Sequence, residues 1–298
     1  MRPFGRHGTR AALHVAERTP ETAVAFAPAA LDALPPVDVA RKAATVGVAK
    51  VAMPRLNVFV LAVLAGAFIA LGADFATTVM AGSSQLPFGV ARLLGGLAFS
   101  LGLILVVVAG AELFTGNNLV VMAWASRRVT TRRLLGNWAL VYAGNFVGAI
   151  GTVLLVYLGR QYEFGGGAVG ESALRIADAK TSLGFVQAVA LGALCNALVC
   201  LAVWLSYSAR TVTDKILAVV PPIAAFVAAG FEHSVANMYF VPFGILVKDE
   251  LDVPGLALEN LTWRGFLVDN LLPVTIGNVI GGAVMVGTVY WLVYLREG

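Results

Sequence analysis

A single histidine lies in the strongly apolar part of this 298-residue chain, and histidine is the side chain best suited to exchanging a proton near neutral pH. His7 and His14 belong to the N-terminal segment, whereas His233 falls inside a long apolar run. Glu112 and Glu232 also lie about midway along long apolar runs. An ionisable group is costly to place at such a position, so we treat His233, Glu112 and Glu232 as candidates for function.

The imidazole of His233 could assist an anion in two ways. Desolvation favours its neutral form and the adjacent Glu232 carboxylate favours its charged form, so the sequence leaves the protonation state open. In either state the ring can donate a hydrogen bond or a proton. Transfer from an imidazolium to a carboxylate is uphill by about 3.5 kcal/mol in water. A dry site favours the uncharged pair, so a small anion could cross as its acid.

Other residues allow both a functional and a structural interpretation. Glu232 could face the path that an anion would take past His233, or it could point away and cap the N-terminus of a half-helix. Lys180 precedes the fourth apolar run, where a cation either raises the local anion concentration or anchors the span at the interface. Cys195 and Cys200 share one apolar run without a metal-ligand spacing, and we interpret them as packing residues.

The composition defines the environment of these residues. Hydrophobic residues make up 59% of the chain and charged residues 13%, against about 25% charged in a typical soluble domain. So little charge cannot cover a water-facing globule, and the sequence predicts an all-α membrane protein with six transmembrane helices. The predicted spans are residues 57 to 81, 93 to 125, 134 to 158, 183 to 207, 216 to 247 and 266 to 295.

The second and fifth predicted spans are too long to be unbroken transmembrane helices. About 32 residues of α-helix would measure roughly 48 Å, whereas the hydrocarbon core is about 30 Å thick. Interruptions near Glu112 and Glu232 would resolve both the excess length and the buried charge, because unwound backbone is tolerated where it lines a cavity or is buried in protein. The alternative is a helix that protrudes from the bilayer.

The two interruptions are alike in sequence. Residues 109–112 read Ala-Gly-Ala-Glu and residues 229–232 read Ala-Gly-Phe-Glu, and an asparagine follows each glutamate after five positions. Four residues of the third span recur in the sixth at an offset of 133: Asn137, Gly144, Asn145 and Gly148 correspond to Asn270, Gly277, Asn278 and Gly281. This predicts two three-span repeats, inverted because each has an odd number of spans. The first and fourth spans align poorly, and chance identity among small residues is the alternative.

Basic residues set the expected orientation. Six spans place both termini on one side, and a cytoplasmic location gives that side fifteen of the 21 Lys and Arg residues, as the positive-inside rule requires. Residues 1 to 36 are predicted to be a disordered tail, with a transit peptide as the weaker alternative. Residues 37 to 54 are predicted to be an amphipathic helix on the membrane surface, with Arg41, Lys42 and Lys50 available for anionic lipid headgroups. Residues 55 to 298 are predicted to be the six-span domain.

Three stretches resemble the formate/nitrite transporter family. Residues 109–116, Ala-Gly-Ala-Glu-Leu-Phe-Thr-Gly, look like its first signature, and residues 192–202 look like its second. Residues 230–238, Gly-Phe-Glu-His-Ser-Val-Ala-Asn-Met, are similar to its interrupted fifth helix. The resemblance covers about residues 37 to 295, with a departure at Ala197, where the family usually has a bulkier apolar residue.

The resemblance implies an aquaporin-like subunit with its own pore, assembled as a homopentamer in a bacterial cytoplasmic membrane. Its expected substrate is a small anion of a weak acid, most simply formate, moved with protons and without a cofactor or nucleic acid. By position, His233 would be the central pore histidine, Thr115 the hydroxyl of the loop in the second helix, and Lys180 the outer-vestibule lysine. The remaining expected pathway residues are Asn196, Asn237 and Glu232, with apolar constrictions at Phe99, Leu103, Leu113, Phe114, Val199 and Phe226.

The sequence leaves other substrates and functions to be distinguished by experiment. Nitrite or hydrosulfide would suit the same pore chemistry, because each is a small anion of a weak acid. A membrane enzyme should gather several ionisable groups or metal ligands at one depth, a pattern that the sequence lacks, so an enzyme is not expected. A water or glycerol channel is disfavoured because the paired Asn-Pro-Ala loops of aquaporins are absent.

Overall fold

The computed structural model describes residues 32–256 and 258–296, and all regular structure in that part of the chain is helical. Its α-helices are α1 (Pro36–Ala52), α2 (Arg55–Met80), α3 (Phe88–Ala109), α4 (Phe114–Asn117), α5 (Val121–Ala125), α6 (Thr131–Leu158), α7 (Ala168–Thr181), α8 (Phe185–Ser208), α9 (Val212–Ala229), α10 (Ser234–Val247), α11 (Leu272–Val279) and α12 (Val289–Tyr294). Helices α11 and α12 belong to one continuous element, Gly265–Tyr294, whose other turns are π-helical.

Six helices of the described residues are long and apolar enough to cross a membrane: α2, α3, α6, α8, α9 and Gly265–Tyr294. The predicted all-α fold with six spans is therefore confirmed. The tail predicted at residues 1 to 36 lies, up to residue 31, outside the described residues. Helix α1 leads into the first span and α7 leads into the fourth, so three spans separate them and they lie at opposite ends of the helix bundle. We call these ends the α1 face and the α7 face.

The predicted interruptions are present, and a glycine begins each of them. Helix α3 ends at Gly110, with φ of 84°, and α9 ends at Gly230, with φ of 77°. This left-handed backbone conformation would cost another residue about 1–2 kcal/mol. Each break follows a nearly full-length helix, of 22 residues in α3 and 18 in α9, rather than a half-length one. The sequence misjudged this because it placed the start of the second span at residue 93, five positions after Phe88.

Asn145 holds the first unwound segment in place. Its side-chain Oδ1 accepts the backbone N–H of Phe114 at 2.9 Å, and its Nδ2 donates to the carbonyl oxygens of Glu112 at 2.9 Å and Ala62 at 2.7 Å. The amide therefore satisfies backbone groups that left the regular helical pattern where α3 ended. An unsatisfied backbone group in such an apolar environment would cost several kcal/mol.

Asn278 makes the same three hydrogen bonds in the second half of the chain. Its Oδ1 accepts the N–H of Ser234 at 2.9 Å, and its Nδ2 donates to the carbonyls of Glu232 at 2.9 Å and Gly192 at 2.8 Å. Asn145 and Asn278 are related by the offset of 133 that the sequence indicated. Their partners in α2 and α8 are related by an offset of 130, which the poor alignment of those spans had hidden.

Two glycines let the paired spans approach closely. A Cβ atom at Gly148 of α6 would overlap the carbonyl oxygen of Val63 in α2, and one at Gly281 would overlap that of Ala193 in α8. These two contacts are again related by offsets of 133 and 130. The predicted correspondence of Gly148 with Gly281 therefore reflects the same helix-to-helix contact in both halves.

Two shorter helices precede α2 and α8. Helix α1 occupies most of the segment that was predicted to be an amphipathic helix. Its small-residue side contacts α5 and α8 through Val39, Ala40, Ala43, Ala44 and Gly47. Its location on a membrane surface stays a prediction. The helix α7 had not been predicted, because only its final residues, around Lys180, had been singled out from the segment before the fourth span.

We expect the substitution Asn278→Leu to destabilise the fold by about 3 kcal/mol or more. The leucine cannot replace the three buried hydrogen bonds, and each unsatisfied buried group costs about 1–3 kcal/mol. Thermal unfolding of the detergent-purified protein measures the loss. Gln187→Leu makes a similar change at an exposed position of α8 and serves as the control. Equal unfolding temperatures for the two variants would contradict this role for Asn278.

Candidate functional site

Two cavities approach each other from the two faces of the bundle. One, of about 300 Å³, is here called the Lys180 cavity, and its lining includes Arg92, Phe99, Lys180, Phe226, Glu232 and His233. The other, of about 240 Å³, is called the Lys50 cavity, and its lining includes Lys50, Leu103, Glu112, Leu113, Asn117 and Tyr207. They share no lining residue, but Phe99 and Leu103 are four residues apart on α3, a rise of about 6 Å along the helix. The cavities are therefore separated by a short barrier.

His233 lies at this barrier and links the two unwound segments. Its Nδ1 accepts the backbone N–H of Ala236 at 3.0 Å, so the ring caps the N-terminus of α10. Its Nε2 lies 3.1 Å from Oγ1 of Thr115, which belongs to the first turn after the other break. Since Nδ1 accepts a hydrogen, a neutral ring carries its own hydrogen on Nε2, and Thr115 accepts that hydrogen.

Glu232 does not contact the imidazole, and it does not cap α10. One carboxylate oxygen accepts a hydrogen bond from Nζ of Lys180 at 2.8 Å, and the other accepts from Nδ2 of Asn237 at 2.7 Å. Asn237 Nδ2 also donates to Oδ1 of Asn270 at 2.7 Å. The capping role that had been considered for Glu232 belongs to His233 instead. Lys180 is likewise held by a buried ion pair rather than left free to anchor the span at the interface.

A matching ion pair lies at the Lys50 cavity. Nζ of Lys50 lies 2.5 Å from one carboxylate oxygen of Glu112, and Nδ2 of Asn117 donates to the other at 2.7 Å. Asn117 Nδ2 also donates to Oδ1 of Asn137 at 3.1 Å. The sequence had assigned Lys50 to lipid headgroups, because helical spacing shows which face a residue occupies but not which distant carboxylate it meets. The structure corrects that assignment.

The two halves differ where the chemistry is expected. His233 corresponds to Leu113 at the offset of 120 that relates the two breaks, and Thr115 corresponds to Val235. Each ion pair has its counterpart, but the imidazole and the hydroxyl do not. The barrier therefore has one hydrogen-bonding pair in an otherwise duplicated frame.

Besides Thr115, four expected pathway residues line neither cavity. Asn196 of α8 donates to the carbonyls of Thr115 in α4 and Asn278 in α11, at 3.3 and 2.6 Å, and thereby links α8 to both of these helices. Asn237 supports Glu232, as described above. Phe114 packs edge-on against Tyr142, with ring centroids 4.8 Å apart, and Val199 is fully buried in the core. Their residue types fit a pore, but their side chains point into the supporting protein.

The remaining expected constriction residues do line the cavities. Phe99 and Phe226 meet edge to face in the Lys180 cavity, with ring centroids 5.5 Å apart. Leu103 and Leu113 line the Lys50 cavity. All four are almost completely buried, so the barrier around His233 is apolar apart from the imidazole and its partner Thr115.

Sequence reasoning missed two charged residues. Arg92 lines the Lys180 cavity and donates from Nη2 to the carbonyl of Val227 at 2.6 Å, so it caps the end of α9 beside the break. The sequence signal that could have identified Arg92 was its position, as a lone arginine directly before the predicted second span. Asp74 accepts a hydrogen bond from the hydroxyl of Tyr239 at 2.8 Å, and its position within the first apolar run had been passed over.

The charges of the two cavities are unequal. Arg92 and Lys180 face a single carboxylate, Glu232, in the Lys180 cavity, whereas Lys50 and Glu112 balance each other in the Lys50 cavity. Within residues 32–256 and 258–296, no three His, Cys, Asp or Glu side chains are grouped to hold a metal ion. The arrangement offers an anion a positive entrance and then the hydrogen-bonding pair of His233 and Thr115 within an apolar barrier.

Comparisons with known proteins identify the relatives of this chain. Residues 37–292 match the family model described as Formate/nitrite transporter. The formate channel FocA of Escherichia coli is 48% identical over 274 residues, which cover 89% of this chain and 96% of that protein. The formate channel FocA of Haemophilus influenzae is 42% identical over 237 residues, covering 77% of this chain and 84% of that protein.

Solved structures of the same kind are also similar. The structure of a pentameric formate channel with formate bound aligns with a TM-score of 0.75 and 44% identity, covering 81% of this chain and 98% of that one. The structure of an ion channel of the FNT family aligns with a TM-score of 0.74 and 32% identity, covering 86% of this chain and 98% of that one.

We expect Lys180→Met to destabilise the protein by about 3–5 kcal/mol, because it leaves the buried carboxylate of Glu232 without its counter-charge. The double variant Lys180→Met/Glu232→Gln should recover most of that loss, since no buried charge remains. Thermal unfolding in detergent measures both.

The control for this cycle is the pair Arg175 and Glu171, which is far more exposed. The side chains of Lys180 and Glu232 are 13% and 5% exposed, against 53% and 48% for Arg175 and Glu171. Arg175→Met should therefore change the stability by less than about 1 kcal/mol. If the double variant is no more stable than Lys180→Met alone, the ion pair does not explain the effect.

Proposed function

This chain belongs to the formate/nitrite transporter family, and we propose that it carries formate across a membrane between the Lys180 cavity and the Lys50 cavity. The observation that carries the proposal is the Nε2–H of His233, which forms a hydrogen-bonding pair with the Thr115 hydroxyl in the otherwise apolar barrier between the cavities. Two relatives, at 48% and 42% identity, are named formate channels. A homopentamer in a bacterial cytoplasmic membrane, with both termini inside, completes the proposal, and the similarity to a pentameric formate channel supports that assembly.

The first step is attraction of the anion. The Lys180 cavity carries two cationic side chains against one carboxylate, and a focused positive potential raises the local concentration of anions. Lys180 is held by Glu232, and Arg92 is held by the carbonyl of Val227, so neither cation needs to collapse onto an arriving carboxylate. The proposed substrate can therefore enter without being trapped by a flexible side chain.

The second step is passage through the apolar barrier. Phe99 and Phe226 on one side and Leu103 and Leu113 on the other provide no hydrogen bonds, so a bare carboxylate would lose its hydration there at high cost. The Nε2–H of His233 compensates part of this loss by turning from Thr115 to the formate oxygen. A hydrogen bond to a charged group contributes about 1.5–3 kcal/mol.

Proton transfer would require a change at the cap of α10. An imidazolium carries hydrogens on both ring nitrogens, whereas Nδ1 of His233 accepts the N–H of Ala236 in this structure. A proton delivered to formate from Nε2 must be replaced on the ring, and protonation of Nδ1 breaks that cap. In our proposal, hydrogen bonding by the neutral ring is therefore the resting mode, and passage as formic acid is coupled to opening the first turn of α10.

Two substitutions of His233 separate these roles. Asn is a good N-cap residue and keeps a side-chain donor, so His233→Asn should preserve the fold and part of the formate flux while abolishing proton exchange. His233→Phe removes both the cap and the donor, and should lower formate flux by about 10–100-fold, the equivalent of one lost charge-assisted hydrogen bond. Flux is measured in liposomes across a formate gradient at several pH values.

The same liposomes test the substrate. Nitrite, hydrosulfide, acetate and lactate gradients are compared with formate, and we expect formate to pass fastest among them. Faster passage of nitrite or hydrosulfide with the same dependence on His233 would reassign the substrate within the family. Wild-type flux of every anion in His233→Phe at every pH would remove the proposed role of the imidazole.

Arg92 provides a separate test of attraction. Arg92→Gln removes the second cation of the Lys180 cavity, and we expect formate flux to fall several-fold at low ionic strength but to converge with wild type at high salt, where charges are screened. Arg175→Gln removes a cation from the exposed surface of α7 and should leave flux unchanged. A loss for Arg92→Gln that is independent of salt would indicate a structural effect through the end of α9 instead.

A further inference from the structure

A large basic cavity lies at the α1 face, apart from the proposed route. We call it the arginine cavity. It measures about 880 Å³, against about 300 and 240 Å³ for the two cavities of the route. Three segments meet there: α1, the turn after α5 and the end of α12. The described residues of its lining include four arginines, Arg41, Arg127, Arg128 and Arg296, and no acidic residue.

The described part of the chain neutralises little of this positive charge. Arg41 pairs with Asp38 at 2.9 Å, but both side chains are well exposed, and such a pair is weak. Arg128 donates to Oγ1 of Thr45 at 3.3 Å, an uncharged partner. Within residues 32–256 and 258–296, neither Arg127 nor Arg296 forms an ion pair with a carboxylate. The cavity therefore presents guanidinium groups to whatever occupies it.

The backbone of Arg127 gives no reason for an arginine at that position. Its φ is 59°, in the left-handed region that glycine adopts at no steric cost. The N–H of Arg127 donates to the carbonyl of Trp124, and the N–H of Arg128 to that of Ala123, so the turn is defined by backbone hydrogen bonds alone. What the arginine adds there is its side chain, directed to the same cavity as the other three.

The part of the cavity wall that α12 forms is largely apolar and continues into a transmembrane element. Trp291 and Leu295 line the cavity, and Nε1 of Trp291 donates to Oγ of Ser126 at 3.1 Å, which fixes the indole beside the arginine turn. Next to them, α12 exposes Val289 and Val293, at 46% and 66%. A cationic recess that adjoins an exposed apolar helix at the end of a span matches the two parts of a phospholipid, a charged headgroup and its acyl chains.

We propose that the arginine cavity binds a phosphate group, supplied by the headgroup of an anionic phospholipid at the α1 face. Guanidinium groups bind phosphate oxygens in bidentate geometry, and four of them around one recess favour a phosphate over a zwitterionic headgroup, whose own cation they repel. Such a headgroup would contact all three segments, and its binding would therefore link α1 and the end of α12 to the turn after α5.

The test measures lipid binding to the full-length protein in detergent by native mass spectrometry. The probes are phosphatidylglycerol, phosphatidylcholine and inorganic phosphate. The triple variant Arg127→Gln/Arg128→Gln/Arg296→Gln should bind phosphatidylglycerol about 100-fold more weakly than wild type, since each interfacial arginine contributes about fivefold. Binding of phosphatidylcholine should not change.

A second triple variant controls for the general positive charge of the α1 face. Arg55→Gln/Arg132→Gln/Arg133→Gln removes the same formal charge from a separate cavity at the same face, and should bind phosphatidylglycerol within about threefold of wild type. Equal losses in both triple variants, or a loss in neither, would overturn the proposal. If the first triple variant does not fold, Arg127→Gln and Arg296→Gln are tested singly, each with an expected loss of about fivefold.

Inorganic phosphate distinguishes the two sources of the ligand. For a lipid site, millimolar phosphate should displace little phosphatidylglycerol, because it lacks the acyl chains that contact α12. Complete displacement, with direct phosphate binding that the first triple variant abolishes, would retain the phosphate site but overturn the assignment to a lipid.

Discussion

The structure depends on satisfying backbone groups where two helices unwind inside an apolar protein. Neither break would be stable if its N–H and C=O groups had no partners, since an unsatisfied backbone group in an apolar environment costs several kcal/mol. Asn145 and Asn278 supply those partners, one asparagine from the third span and one from the sixth. Because the two unwound segments are held in this way, the N-termini of the helices that follow them, α4 and α10, are also held in place. His233 can then reach Thr115 across the barrier, because both residues directly follow a stabilised loop.

The buried charges follow the same duplicated plan and are kept away from the histidine. Each carboxylate is occupied by a lysine and an asparagine, Glu112 in one half and Glu232 in the other. This leaves the imidazole with aromatic and hydroxyl neighbours, including Phe226, which stacks on it at a centroid distance of 5.9 Å. The duplication therefore provides the frame, and the proposed chemistry depends on the position where leucine in one half is histidine in the other.

Much of this arrangement could be predicted, because it rests on signals that a sequence carries directly. Apolar runs gave the six spans, excess length and glycine gave the two breaks, and the repeated Asn and Gly residues gave the inverted halves. The direction of side chains is not encoded in that way. Asn196 and Phe114 have residue types that suit a pore, yet one ties helices together and the other packs on Tyr142. Lys50 and Arg92 have long side chains whose partners are distant in sequence, so their roles required coordinates.

The unequal placement of the imidazole has a kinetic consequence. His233 lines the Lys180 cavity, whereas the equivalent position beside the Lys50 cavity is occupied by Leu113. On the proposed route, an ion that enters from the Lys180 cavity meets His233 before Leu103 and Leu113, and an ion that enters from the Lys50 cavity meets these leucines first. This order does not change the equilibrium distribution of the ion across the membrane. It does allow the saturating currents in the two directions to differ when the gradients are equal and opposite. For the proposed route, this ordering is a basis for rectification that depends on a single unduplicated side chain rather than on a moving gate.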